Sequence, residues 1–125
     1  MLKTIRGTVE FMSEEFFLTE NNGLLVNEIA PRPHNSGHQT IECNLTSQYE
    51  QHLRSIMNLP LGDTHLIQAG VMINLLGENG FEGKVYYEGL EKVLEISGVK
   101  PHIYGKEITK PFRKMGHVTI VNQDL

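Results

Sequence analysis

Twelve consecutive residues concentrate the chemistry of this chain. Asn27-Glu28-Ile29-Ala30-Pro31-Arg32-Pro33-His34-Asn35-Ser36-Gly37-His38 holds a carboxylate, a guanidinium, two imidazoles, two carboxamides and a hydroxyl. Pro31 and Pro33 fix φ and Gly37 tolerates unusual φ, so most of the stretch is expected outside a helix. It buries little apolar surface. Its composition therefore points to an anionic ligand, a metal, or both.

A second carboxylate is expected beside Glu28. Glu15-Phe16-Phe17-Leu18-Thr19 and Leu24-Leu25-Val26-Asn27-Glu28-Ile29 read as strands joined by Glu20-Asn21-Asn22-Gly23. Asn22-Gly23 fits a two-residue hairpin turn. That register pairs Asn21 with Leu24 and Glu15 with Ala30, which leaves Glu28 diagonal to Glu15 on one face. Two carboxylates so placed suit a hard cation such as Mg²⁺; equally, they are two surface glutamates of an ordinary hairpin. A slip of one residue substitutes Glu14 for Glu15, and Glu10 is a more distant rival.

Lys106, Lys110, Arg113, Lys114 and His117 form a basic cluster in a chain of net charge −4. Such a cluster is either a solvated loop or a phosphate clamp, with arginine supplying a fork of donors and lysine a point charge. Cys43 reads as a small packed residue, and His52 as a solvated surface histidine. His34 and His38 have helical metal-ligand spacing, which the neighbouring prolines and glycine argue against.

The elements that position these groups are read as follows. Gln39 to Thr46 is expected to be extended or irregular. Ser47-Gln48-Tyr49-Glu50 has the form of a capping box, and Tyr49, Leu53, Ile56 and Met57 make an apolar stripe on the helix that follows. Asn58-Leu59-Pro60-Leu61-Gly62-Asp63 ends that helix. Val71 to Leu76 reads as a buried strand, and Leu90, Val93 and Leu94 as a helix stopped by Gly98. Lys100 to Glu107 and Gly116 to Val121 alternate as strands.

The chain has 125 residues, of which 39% are hydrophobic and 21% charged, as for an ordinary soluble domain or two small lobes. Its acidic balance excludes a general nucleic-acid binder, which needs a basic stripe. A single cysteine forbids an internal disulfide and suits a reducing cytoplasm. Neither a signal-type run nor a membrane span is visible.

The stretch NEIAPRPHNSGH, Asn27 to His38, resembles the signature of the N5-carboxyaminoimidazole ribonucleotide synthetases, ATP-grasp enzymes of purine biosynthesis. Thr46 to Arg54, Val71 to Gly77 and Arg113 to His117 resemble further stretches of that family in the same order, and Glu15 to Thr19 the strand before the signature. The resemblance implies an α+β fold: the end of an ATP-grasp core with its antiparallel hairpin over residues 1–58, then a small mixed β-rich C-terminal domain with one or two helices over 59–125. It implies that the chain corresponds to the C-terminal third of the family's enzymes, inactive without the N-terminal domains. It implies a homodimer, ATP and Mg²⁺ as cofactors, and 5-aminoimidazole ribonucleotide and bicarbonate as substrates. Carried over, Glu15 and Glu28 would bind magnesium and Asn27 with Glu28 the nucleotide. Arg32 and His34 would be catalytic. His34, Asn35 and Ser36 would line the substrate pocket, and Lys106, Arg113 and Lys114 would hold the ribose 5-phosphate. A non-catalytic module that binds a phosphorylated metabolite, or only dimerises, is the alternative.

Overall fold

The computed structural model describes residues 2–5 and 8–121, with side chains from residue 12 onward. The side chain of Glu10 therefore lies outside the described residues. The chain divides into two compact units, residues 1–67 and 68–125.

In the first unit β1 (Leu2–Ile5) pairs antiparallel with β2 (Thr8–Phe11), and β3 (Ser13–Leu18) with β4 (Leu24–Ala30). Most of the polar stretch after β4 stays outside a helix, as expected, but the following Gln39 to Thr46, expected to be extended or irregular, is partly helical. Asn35–Gln39 forms a 3₁₀ turn that runs into α1 (Thr40–Cys43). The prolines stop short of it, and Gly37 is accommodated within a short 3₁₀ segment.

Helix α2 (Gln48–Ile56) starts where the capping box predicts, with Ser47 Oγ accepting from the Glu50 amide at 3.2 Å. Its end is a Schellman turn. Asn58 takes φ 53°, and the Leu59 amide reaches back to the Arg54 carbonyl at 2.8 Å. Ser47→Ala should cost about 1 kcal/mol, read as a lower urea midpoint with an unchanged slope.

The stripe on α2 faces the other way from the expected one. Leu53 and Ile56 are 54% and 61% exposed, whereas Gln51 and Ser55 are buried. The buried glutamine works for its place: Gln51 donates to the Gly62 carbonyl (2.6 Å) and accepts its amide (2.9 Å). His52 is half-buried rather than solvated.

In the second unit β5 (Gly70–Leu76), β9 (Lys114–Val121) and β7 (Val99–Ile103) form a sheet with β9 in the centre. Two short strands, β6 (Gly83–Lys84) and β8 (Ile108–Thr109), pair separately. Strand β5 is not the buried strand expected: it is an edge, and Val71 and Ile73 are 62% and 52% exposed. Burial falls instead on β9, where Met115, His117, Thr119 and Val121 alternate inward. Helix α3 (Leu90–Leu94) ends at its C-cap Glu95, before Gly98, which serves the turn into β7 with φ 80°. Among the described residues no helix is long and apolar enough to cross a membrane.

Cys43 packs as expected, at 1% exposure. Burial pushes its thiol above the ordinary value, and the Glu42 carboxylate adds to the shift. Burial likewise raises the Tyr49 hydroxyl, partly offset by its interaction with Gln48. Both groups hold in the folded chain a proton that the unfolded chain gives up. Their contribution is therefore complete below the unfolded values and is lost as pH rises through the folded ones. Thermal melts should show the loss that these two groups cause setting in above about pH 9, and Cys43→Ala should reduce it.

Candidate active site

The site begins with the β3–β4 turn. Thr19 closes it twice: its amide donates to the Gly23 carbonyl (2.9 Å), and its hydroxyl accepts the Gly23 amide (2.9 Å). Asn22 takes the left-handed conformation at φ 58°. Three residues, Glu20 to Asn22, therefore make the loop, not the two-residue turn expected from Asn22-Gly23. Leu18 pairs with Leu24.

Farther along, a bulge corrects the alignment. Phe16 pairs with Val26 but Glu15 with Glu28, so Asn27 is the extra residue. Glu15 and Glu28 thus stand directly opposite each other, not diagonally, and directly opposed side chains share a face. Glu14 pairs with Ile29 and points the other way. The bulged Asn27 donates its carboxamide to Glu15 Oε1 at 2.6 Å, fixing that carboxylate from the side.

The loop after β4 brings an imidazole to the pair. Ser13 Oγ donates to the Arg32 carbonyl (2.8 Å), pinning the proline-flanked segment against β3. His34 is then the N-cap of the 3₁₀ turn, with extended backbone at φ −110° and ψ 148°. Its Nδ1 lies 2.7 Å from Ser36 Oγ and 3.2 Å from Glu15 Oε2, and its Nε2 contacts Glu28 Oε1. The ring stands between the two carboxylates. One ligand atom from each of Glu15, Glu28 and His34 falls within 4.8 Å of the others. Two carboxylates and a carboxamide offer hard oxygen donors, which suits a divalent cation such as Mg²⁺.

Other expected site residues have different neighbours. Arg32 is exposed and donates to the Pro33 carbonyl (3.1 Å) instead of to either carboxylate. Asn35 opens the 3₁₀ turn beside His34, and Ser36 touches the ring. His38 turns to α2, where Tyr49 Oη lies 2.6 Å from its Nδ1, so the two histidines do not share a site.

The basic residues belong to the second unit. Lys106 Nζ donates to the Lys114 carbonyl (2.5 Å), and Arg113 to the Ile108 carbonyl (2.8 Å). Lys110 pairs with Glu82 at 3.1 Å. His117, grouped with the basic cluster on sequence, is instead buried, stacked on His102 at 4.4 Å, with Tyr104 Oη 2.9 Å from its Nδ1.

Gln48 was not visible as a site residue in the sequence. Its carboxamide binds the His34 backbone. A glutamine at the first position of a helix gives no local sign of a partner 14 residues upstream.

Residues 70–125 match the family model of the phosphoribosylaminoimidazole carboxylase C-terminal domain, and residues 4–49 that of the ATP-grasp domain. The N5-carboxyaminoimidazole ribonucleotide synthase of Bacillus subtilis is 51% identical over 90% of this chain. The crystal structure of the N5-carboxyaminoimidazole ribonucleotide synthetase of Thermotoga maritima superposes with a TM-score of 0.85 at 59% identity, covering 90% of this chain and 31% of that one. An Aspergillus clavatus N5-carboxyaminoimidazole synthase, in complex with ADP and 5-aminoimidazole ribonucleotide, gives a TM-score of 0.81 at 36% identity over 94% of this chain and 31% of its own. The chain spans 28% of the length of the Bacillus relative.

Proposed function

This chain belongs to the N5-carboxyaminoimidazole ribonucleotide synthetase family, and on that premise we propose that it supplies one side of the site where 5-aminoimidazole ribonucleotide is carboxylated. The reaction consumes ATP and bicarbonate. The γ-phosphoryl passes to bicarbonate, giving carboxyphosphate and ADP. The exocyclic amine of the ribonucleotide then attacks the carboxyl carbon, or CO₂ released from it, giving the N-carboxylated product and phosphate. In this reading the whole enzyme is a cytoplasmic homodimer of purine biosynthesis. Residues 1–58 close its ATP-grasp part and 59–125 lead into its small C-terminal domain.

The convergence of Glu15, Glu28 and His34 carries the proposal. Glu15 and Glu28 would hold Mg²⁺, which when bound neutralises charge on the phosphates of ATP. Asn27 orients Glu15 and belongs to the nucleotide site. Arg32, tied by one exposed hydrogen bond, can swing to the carboxyphosphate and stabilise its charge. His34, aimed by its loop, orients the amine or takes its proton. Asn35 and Ser36 line the same pocket. Lys106, Arg113 and Lys114 hold the ribose 5-phosphate. Arg113 spends one of its five N–H donors on Ile108, which leaves the fork available.

Positioning supplies most of the catalysis in phosphoryl transfer, so the chain alone should be silent. The test is to mix it with the separately produced remainder of a full-length relative and follow ADP. Release that requires both parts and the ribonucleotide supports the reading. Ribonucleotide-dependent hydrolysis by the chain alone contradicts it. Tight binding of the ribonucleotide by the chain alone, without ATP, favours a non-catalytic binding module.

A further inference from the structure

We propose that Gln48 is the positioning residue for His34, and that residue 37 is glycine so that the Gln48 carboxamide fits. The proposal deepens the reading above, since it rests on His34 as the group that meets the substrate amine.

One carboxamide satisfies both backbone groups of one residue. Gln48 Oε1 accepts the His34 amide (2.9 Å), and Gln48 Nε2 donates to the His34 carbonyl (2.7 Å). The pairing has the form of a single rung of a β-ladder, made by a side chain. The backbone of Gln48 is held as well. Its amide belongs to the first turn of α2 and has no partner inside the helix. Thr40 Oγ1 accepts that amide (2.9 Å) while donating to the Gly37 carbonyl (2.6 Å). The loop from His34 to Thr40 is thereby knitted to the first turn of a helix that Ser47 caps.

The clamp fixes the backbone that carries the ring, whereas the ring itself meets Ser36 and two partly exposed carboxylates. The His34 side chain retains 15% exposure, and its partners Glu15 and Glu28 retain 30% and 49%. Holding the backbone at both its amide and its carbonyl sets where the imidazole starts from, and the carboxylates then meet it there. Gly37 is the complement. A Cβ there would lie 2.5 Å from Gln48 Oε1 and 2.8 Å from its Cδ, so any side chain displaces the carboxamide. Helix α2 uses the same device once more, where Gln51 holds both backbone groups of Gly62. That second clamp touches none of the groups gathered at His34, which makes it the natural control.

Amide hydrogen exchange by NMR on the full chain tests the clamp without any assumption about substrate. Gln48→Ala should speed exchange of the His34 amide by roughly tenfold or more, and leave the amides of Leu53 to Ile56 within about twofold. Gly37→Ala should reproduce the effect at His34. Gln51→Ala should expose the Gly62 amide and leave His34 protected. Unchanged protection at His34 in Gln48→Ala overturns the proposal. So does a loss spread evenly through α2, which would mark Gln48 as merely structural.

A double-mutant cycle in the two-part mixture then asks whether Gln48 acts through His34. Gln48→Ala should lower kcat with little change in KM for ATP, and should add almost nothing once His34 is alanine. Additive losses overturn the positioning role. If the unaltered mixture is inactive, the exchange data decide the clamp and it is the ligase reading that falls.

Discussion

Glu28→Gln should lower ribonucleotide-dependent ADP release by about a thousandfold in the two-part mixture, the scale expected when charge stabilisation of a transferring phosphoryl group is lost. Glu15→Gln should do nearly as much. Glu15 and Glu28 oppose each other across the hairpin, and either change leaves one carboxylate to do the work of two. Glutamine keeps the size and hydrogen-bonding capacity of the side chain, so the loss reports charge. Glu14 supplies the control. It neighbours Glu15 and has the same charge, but pairs with Ile29 on the opposite face. Glu14→Gln should therefore change the rate less than twofold. Equal effects at 14 and 15 would mean that general charge, not a site, is being measured. Asn27→Ala should fall between, because it removes only the 2.6 Å bond that steadies Glu15.

The largest effect on stability is expected at Gly77. Its amide donates to the Arg113 carbonyl (2.9 Å), and its carbonyl accepts from Phe112 (3.0 Å), which closes the turn before β9. A Cβ there would lie 2.0 Å from the Lys110 carbonyl oxygen and 2.4 Å from Thr109 Oγ1. Backbone stands on one side of that clash, so no rotamer relieves it. Gly77→Ala should cost about 3 kcal/mol or more. Gly80 separates space from conformation: nothing lies within 4 Å of its Cβ position, yet its φ is +81°. Gly80→Ala should cost only about 1 kcal/mol, the penalty for a left-handed residue. Urea unfolding followed in the second unit distinguishes the two; equal costs would contradict the crowding at Gly77.

The hairpin shows why the sequence placed two glutamates together through a register that was wrong. Reading Asn22-Gly23 as a two-residue turn paired Asn21 with Leu24, whereas Leu18 takes that place. The Thr19 hydroxyl, which closes the longer loop, is a side-chain contact that turn statistics do not carry. A slip of three residues would by itself have turned Glu15 to the other face. The bulge at Asn27 returns one residue, the net slip at Glu15 becomes two, and the face is kept. Parity survived where register did not.

Ser47 was legible because an N-cap is a local hydrogen bond. The orientation of α2 was not. An apolar stripe at Leu53 and Ile56 ordinarily marks the buried side, but here Gln51 and Ser55 take it, because the carboxamide at 51 satisfies both backbone groups of Gly62. The basic turn was visible as charge. The partners of its members in the fold were not, since Lys106 and Arg113 each donate once to a carbonyl that only the folded strands bring near.

In the proposed reading Glu15, Glu28 and the loop carrying His34 form one cation site. Titrating the chain with Mn²⁺, a paramagnetic substitute for Mg²⁺, and mapping which amide signals broaden tests it most directly. The account predicts that broadening starts at Glu15, Asn27, Glu28 and His34, and that it disappears from all four in Glu28→Gln. Broadening centred instead on an unrelated acidic pair such as Glu78 and Glu82, or unchanged at the hairpin in Glu28→Gln, would contradict it.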